Sequence, residues 1–200
     1  MRGKGAKKNP WEDHYSRRAK KERYPARSVY KLKEIQKKYR LINAGDCVLD
    51  LGCAPGSWLV FAAELTGSRG RVVGIDLKPV HIPVPAWVQT HAADIRQPAD
   101  AFKSLFSSGF HVVLSDMAPD TSGNKKLDAL RSSQLSEAAL DLALQVLNPP
   151  GSFVCKIFQG EGFQSFTGAV KRAFAHTNIF KPQSSRKASR EIYVIGRCRR

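Results

Sequence analysis

Between residues 47 and 158 short apolar runs alternate with longer helical patterns, and this rhythm constrains the fold more than any other feature of the chain. Strand-like runs fall at residues 47–51, 71–76, 87–91, 110–115 and 152–158. Helical patterns start near Ser57, span about 99–106, and run from about 131 to 147, where Pro149, Pro150 and Gly151 stop the last of them. Such alternation signals a parallel sheet with crossover helices. After a helix at about 163–175 the pattern changes. Residues 179–181 and 191–197 read as two strands joined by a Ser, Arg and Lys-rich loop, which predicts a terminal hairpin beside the parallel sheet.

The charge is distributed unevenly. The chain has 33 Lys and Arg against 17 Asp and Glu, a net +16. Residues 1–40 carry net +11, residues 181–200 carry +6, and residues 41–180 carry −1. A near-neutral core between two basic ends fits a polyanion-binding enzyme whose termini meet on one face, with solvated tails as the plainer alternative. Residues 1–25 hold few aliphatic side chains and read as a basic flexible arm ahead of one domain over 26–200. Trp11, His14, Tyr15 and Tyr24 interleave with its charges, either as base-stacking surfaces or as aromatics docked on the core. Ser28 is a candidate N-cap for a basic helix through Val29, Leu32, Ile35 and Tyr39. No apolar run approaches the length of a membrane span, and the N-terminus lacks a signal-peptide core, so a cytoplasmic protein without a membrane partner is expected. Cys47, Cys53, Cys155 and Cys198 form no Cys-x-x-Cys pair, and neither a metal site nor a disulfide framework is expected.

The strongest local motif is Asp50-Leu51-Gly52-Cys53-Ala54-Pro55-Gly56-Ser57-Trp58, where an apolar strand passes through a glycine loop into a helix. Ligands of open α/β sheets bind beyond the carboxyl ends of the strands, and Gly52 and Gly56 would let backbone approach one. The loop has neither the G-x-G-x-x-G spacing nor the Lys-Ser/Thr ending of phosphate-binding loops, and it carries no basic residue, which suits a sulfonium better than a phosphate. Asp76 ends the second strand, where a carboxylate can accept from the hydroxyls of an adenosine ribose. Asp94 follows the third as the candidate adenine contact, with Leu77 and Ile95 as candidate walls. Singly, an acid after a strand is more often a turn or cap residue; three successive strand ends of this kind shift the balance.

Ser115-Asp116-Met117-Ala118-Pro119 ends the fourth strand, and Lys156 lies inside the apolar fifth. A lysine there needs a paired charge or a catalytic purpose. With Arg27-Ser28-Val29-Tyr30-Lys31-Leu32, Lys156-Ile157-Phe158-Gln159-Gly160 and Ser189-Arg190-Glu191-Ile192-Tyr193, the chain resembles the FtsJ/RlmE family of ribosomal RNA ribose 2′-O-methyltransferases from about residue 27 to 196. The resemblance implies a Rossmann-like class I methyltransferase fold, with a mostly parallel seven-stranded sheet, helices on both faces and a C-terminal antiparallel hairpin. It implies S-adenosyl-L-methionine as cofactor, a catalytic tetrad at Lys31, Asp116, Lys156 and Glu191, and cofactor contacts at Gly56, Trp58, Asp76, Asp94 and Asp116. Cys53 and Ser57 stand where alanine and glycine are common in that family.

The expected reaction is in-line transfer of a methyl group to a ribose 2′-hydroxyl, most simply of a uridine in the 23S rRNA of the large ribosomal subunit, by a monomer without a metal. Lys156 is the candidate base, with Lys31 favouring its neutral form and Asp116 and Glu191 opposing it. Alternatively, charged Lys156 only steers the hydroxyl, and proximity supplies the rate. Transfer RNA or the messenger cap are alternative substrates, since the tetrad does not choose among them. The shortness of the chain favours the ribosomal type. A non-catalytic assembly factor that binds RNA, and a small-molecule methyltransferase, are the rival classes.

Overall fold

A computed structural model describes residues 14–97, 106, 109–186 and 188–200. Helices α1 (His14–Lys21) and α2 (Val29–Tyr39) precede β1 (Cys47–Leu51), α3 (Ser57–Thr66), β2 (Arg71–Asp76), β3 (Val88–Ala92) and β4 (Phe110–Ser115). Then come α4 (Lys125–Val146), β5 (Leu147–Phe158), α5 (Phe163–Ala173), β6 (Phe174–Phe180) and β7 (Glu191–Arg199). The seven strands form one sheet in the order β3-β2-β1-β4-β5-β7-β6. Strands β1 to β5 pair in parallel, and β7 runs antiparallel to both β5 and β6.

Period-two alternation puts Leu49, Leu51, Val73, Ile75, Phe153 and Ile157 against α4 and α5. Val48, Val72, Leu114, Val154 and Ile195 face α2 and α3 from the other side. Both faces are therefore covered, and the central strands read as continuous apolar runs. Each fully buried Val, Leu or Ile there contributes about 1.5 to 3 kcal/mol of transfer free energy, so burial overrides the low strand propensity of the polar residues embedded among them.

Five sequence readings are corrected. The N-terminal segment is not an arm throughout: residues 14–21 are helical, Ala19 and Tyr24 are buried, and Tyr15 packs with Tyr30 at 5.4 Å. Aromatic docking supplies the apolar area that aliphatics lack, aided by Lys33 Nζ 4.3 Å from the Tyr24 ring centre and by the Tyr24 hydroxyl donating to Glu64. Residues 1–13, with Trp11, lie outside the described residues. Ser28 precedes α2 but makes no side-chain cap bond, having helical backbone angles itself. Helix α4 starts six residues earlier than the apolar pattern, because the Asn124 side chain accepts from the N–H groups of Lys126 and Leu127. Strand β5 extends back to Leu147: the register jumps from Phe110↔Leu147 to Val112↔Ser152, so Pro149 and Pro150 sit in a bulge where their missing donors cost no ladder bond. The strand expected at 179–181 is β6, which starts directly after α5. The expected helix at 99–106 falls mostly outside the described residues.

Candidate active site

The strands of the parallel half end on one edge of the sheet, and a cavity of about 780 Å³ opens there. Gly52 from the β1 loop, Asp76 and Leu77 after β2, Asp94 and Ile95 after β3, and Asp116 after β4 all line it. Parallel register is the reason: Leu51 lies beside Ile75 and Ser115, so the residues that follow emerge side by side.

Gly52 has φ +77, and a Cβ there would come 2.4 Å from Met117 Cγ, so the two loops touch only because Gly52 lacks one. Gly56 and Trp58 do not line the cavity. Gly56, with φ +108, opens α3 against Ile82. The Trp58 indole is buried, donates its Nε1 to the Ser28 carbonyl at 2.8 Å, and lies 5.8 Å from the Tyr193 ring. It fastens α2, and hence Lys31, to the sheet.

The two carboxylates placed from strand ends are held differently. Asp76 Oδ2 accepts from Ala54 N at 2.9 Å and Oδ1 from Lys78 N at 2.8 Å, which leaves lone pairs for a ligand. Asp94 is engaged in a fork with Arg96, Oδ1 at 3.0 Å and Oδ2 at 2.6 Å. The Arg96 side chain and then its backbone N–H hold the Asp94 carboxyl below the usual range.

Beside the cavity is a buried charge cluster. Lys156 is 7% exposed, and its Nζ lies 3.0 Å from Asp116 Oδ1 and donates to the Asp116 carbonyl at 2.5 Å. Tyr193 donates its hydroxyl to Asp116 Oδ1 at 2.6 Å. Lys31 Nζ meets Glu191 Oε2 at 2.8 Å, each side chain 12% exposed. Burial would raise the Asp116 carboxyl, but the charges of Lys156 and Lys31 and the Tyr193 hydroxyl together bring it below its ordinary value. Strand register builds the cluster: Ser115 pairs with Cys155, Lys156 with Tyr193, and Phe158 with Glu191. All four residues singled out as the tetrad are thus brought together, and Lys31 reaches them from α2.

Sequence reasoning missed several neighbours. Met117, Arg131, Gln134 and Leu135 also line the cavity, the last three from a helix that was expected but not assigned to the site. Tyr193 was an unassigned aromatic in a strand. Asp50 is fully buried, neither carboxylate oxygen has a hydrogen-bond partner among the described residues, and burial, with the charges of Asp116 and Asp76 adding, raises its carboxyl well above normal. The signal was present, since an acid in Val48-Leu49-Asp50-Leu51 is as anomalous as Lys156 in its strand.

A doubly covered, mostly parallel sheet with an antiparallel final strand pair, a cavity of about 780 Å³ lined by strand-end carboxylates, and a lysine–aspartate pair at its rim fit a group-transfer enzyme of the methyltransferase class. The FtsJ-like methyltransferase family model matches residues 24–199, and the chain belongs to that family. It is 52% identical over 196 residues to a ribosomal RNA large subunit methyltransferase E of Desulfatibacillum aliphaticivorans, covering 98% of this chain and 95% of that one. It is 55% identical over 184 residues to the protein of that name from Desulfosudis oleivorans, covering 92% and 89%. A crystal structure of a putative ribosomal RNA methyltransferase from Plasmodium falciparum superposes with a TM-score of 0.77 at 27% identity, over 88% of this chain and 98% of that one. Fibrillarin from Aeropyrum pernix, solved with natively bound S-adenosyl-L-methionine, shares the fold at 15% identity and a TM-score of 0.62, over 84% and 76%.

Proposed function

We propose that the protein transfers a methyl group from S-adenosyl-L-methionine to the ribose 2′-hydroxyl of a uridine in 23S rRNA. The observation that carries this reading is the buried Lys156–Asp116 pair at the rim of the cavity, joined through Tyr193 and Lys31 to Glu191.

The cavity suits the cofactor. Its volume fits a nucleoside-sized ligand, the Gly52 loop presents no cation, and Asp76 and Asp116 offer carboxylates to hydroxyls and to positive charge. Asp76 would hold the ribose. Asp94, already paired with Arg96, would need to share an oxygen with the adenine amino group, between Leu77 and Ile95. Gly56, whose N–H already donates to the Cys53 carbonyl, would contribute by shaping the loop, and Trp58 through its backbone N–H at the start of α3, since its indole is committed to Ser28. S-adenosyl-L-methionine supplies, when bound, an electrophilic methyl group on a sulfonium. The chain's own residues then have to align the hydroxyl oxygen with that carbon and receive its proton. Lys156, whose Nζ makes two contacts to Asp116, would steer the hydroxyl as an ammonium, or would receive its proton once it has itself lost one. Glu191 and Tyr193 keep Lys31 and Asp116 in register around it.

A preparation of large subunits lacking the modification, incubated with methyl-tritiated S-adenosyl-L-methionine, should acquire label in 23S rRNA. Alkaline hydrolysis should leave that label in a resistant dinucleotide, because a 2′-O-methyl group blocks attack on the adjacent phosphate. Label on a base, or none at all, would overturn the reading. Relatives named for the large subunit support rRNA over transfer RNA or the messenger cap, and the basic ends of the chain support a polyanionic substrate in general.

A further inference from the structure

Lys31 reaches Glu191 from a helix that has no ladder bonds to β7, so contacts outside the sheet have to set where α2 lies along it. Two tethers bracket Lys31, one helical turn to either side. Before it, the Ser28 carbonyl accepts from the Trp58 indole at 2.8 Å. After it, on the same helix face, Glu34 accepts from Gln183 N at 2.6 Å and from Ser184 N at 2.8 Å.

The segment that Glu34 holds belongs to the β6–β7 connection, residues 181–190, and is itself firmly built. Ser184 is fully buried, its carbonyl accepts from Arg27, and Ser185 N donates to the Pro182 carbonyl at 3.1 Å. Lys181 Nζ donates to the Ser189 carbonyl at 2.6 Å and closes the base of the loop, and the Ser189 hydroxyl accepts from Glu191 N at 3.2 Å. The path is therefore a closed ring: Glu34, the loop, Glu191, Lys31 and back to α2. Leu32 and Ile35 press the helix onto the sheet, but apolar contact is non-directional and does not stop a slide along it. Hydrogen bonds from a carboxylate to two main-chain N–H groups do, because they are directional and charge-assisted.

We propose that Glu34 is a positioning residue for methyl transfer, which fixes α2 against the β6–β7 connection so that Lys31 stays seated on Glu191. The inference rests on the tetrad reading above. Glu34 does not line the cofactor cavity, and its part is one of placement. Lys31 has a flexible four-carbon stem, and its Nζ sits 2.8 Å from Glu191 and 5.9 Å from the centre of the Tyr193 ring only while helix and strand keep their separation. A displacement of about 1 Å at a reacting centre can cost about a hundredfold in rate.

Glu34→Ala removes both acceptors, and kcat at saturating RNA and cofactor should fall by about ten- to a hundredfold. Cofactor Kd by calorimetry should not move. Glu34→Gln, which keeps one acceptor oxygen, should recover part of the loss. A readout independent of turnover is the rate at which limiting acetic anhydride modifies Lys31, followed by mass spectrometry. It should rise several-fold in Glu34→Ala, as the ammonium leaves its carboxylate. Gln36→Ala is the matched control: Gln36 accepts from Leu41 N at 2.9 Å and Ile42 N at 3.0 Å, so the same kind of bond is lost from the same helix, toward the end away from the β6–β7 connection. That variant should keep wild-type kcat and Lys31 reactivity at a comparable drop in urea midpoint. Wild-type kcat in Glu34→Ala, an equal kcat loss in Gln36→Ala, or unchanged Lys31 reactivity alongside a fallen kcat would each overturn the assignment. Failure of the tetrad reading is recognisable separately, as undiminished methyl transfer by Lys31→Met.

Discussion

At the β2 and β3 ends of the sheet, Asp76 and Asp94 are held by main-chain N–H groups and a surface arginine. At the β4, β5 and β7 ends, Asp116 and Glu191 are held by buried lysines. The first arrangement leaves lone pairs facing a solvent-open cavity, which suits reversible binding of a cofactor that must leave after each turnover. The second takes charges out of water, which costs several kcal/mol per ion unless the partners are fixed, and so holds a small set of groups in one geometry. The difference teaches how one sheet edge separates binding from chemistry. Main-chain anchoring makes each carboxylate independent, whereas side-chain pairing makes the tetrad a single unit.

The largest test of that distinction is Lys156→Met. It should abolish methyl transfer and leave Asp116 as a buried unpaired carboxylate, lowering unfolding free energy by about 3 to 5 kcal/mol. Adding Asp116→Asn should restore most of the stability and none of the activity, as read by denaturant midpoints and label transfer. Equal stability of the single variant and the wild type would mean that the pair is not buried as described. On the binding side, Asp76→Ala should weaken cofactor binding by about 1 to 3 kcal/mol in calorimetry while the fold survives, since only one charged hydrogen-bonding group is removed. An unchanged affinity would take the ribose role from Asp76.

How much of this was legible in the sequence follows the same division. The alternating apolar runs predicted the parallel strands and the final antiparallel pair, because fully buried strands leave little choice of residue. The tetrad was legible through resemblance and through the cost of Lys156 in an apolar strand. The pairing of Lys31 with Glu191, 160 positions apart, depends on α2 being fastened by Trp58, which no local pattern displays. Helix α1 was hidden because its docking uses tyrosine rings and cation–π contacts in place of aliphatic periodicity. The early start of α4 was hidden because a side-chain cap at Asn124, and not an apolar stripe, begins it.

Asp50 sharpens the comparison from beneath the cavity, being buried like the tetrad but unpaired. Its carboxyl is raised, so the folded chain holds that proton more tightly than the unfolded chain does. The associated stabilisation is complete below the ordinary carboxylate range near pH 4 and is lost as pH rises through the folded value. Against Asp50→Asn, the wild-type protein should therefore lose about 1.4 kcal/mol of stability per pH unit above roughly pH 4, until the group ionises. Urea midpoints of the two proteins at pH 4.5 and 7.5, measured without cofactor, give the slope. A constant difference between them would mean that Asp50 is ionised in the fold.

The smallest effect belongs to the exposed counterpart of the tetrad. Glu22 joins Lys33 Nζ at 2.9 Å and Arg18 Nε at 2.6 Å on the α1 side of the molecule, with its side chain 30% exposed. Hydrogen bonds from Lys33 and then Arg18 lower its carboxyl to about 2. A lowered carboxylate contributes stability that is present above its unfolded value and disappears as pH falls through the folded one, here from the mid-4 range down toward 2. Because solvent screens the site, Glu22→Gln should cost less than about 1 kcal/mol at pH 7, and added salt should shrink the cost further. The buried Lys156–Asp116 pair should hold its contribution over the same salt range. Parallel salt titrations of Glu22→Gln and Lys156→Met, each against the wild-type protein, compare the two directly. Equal salt sensitivity would show that burial does not separate the two kinds of charge in this fold.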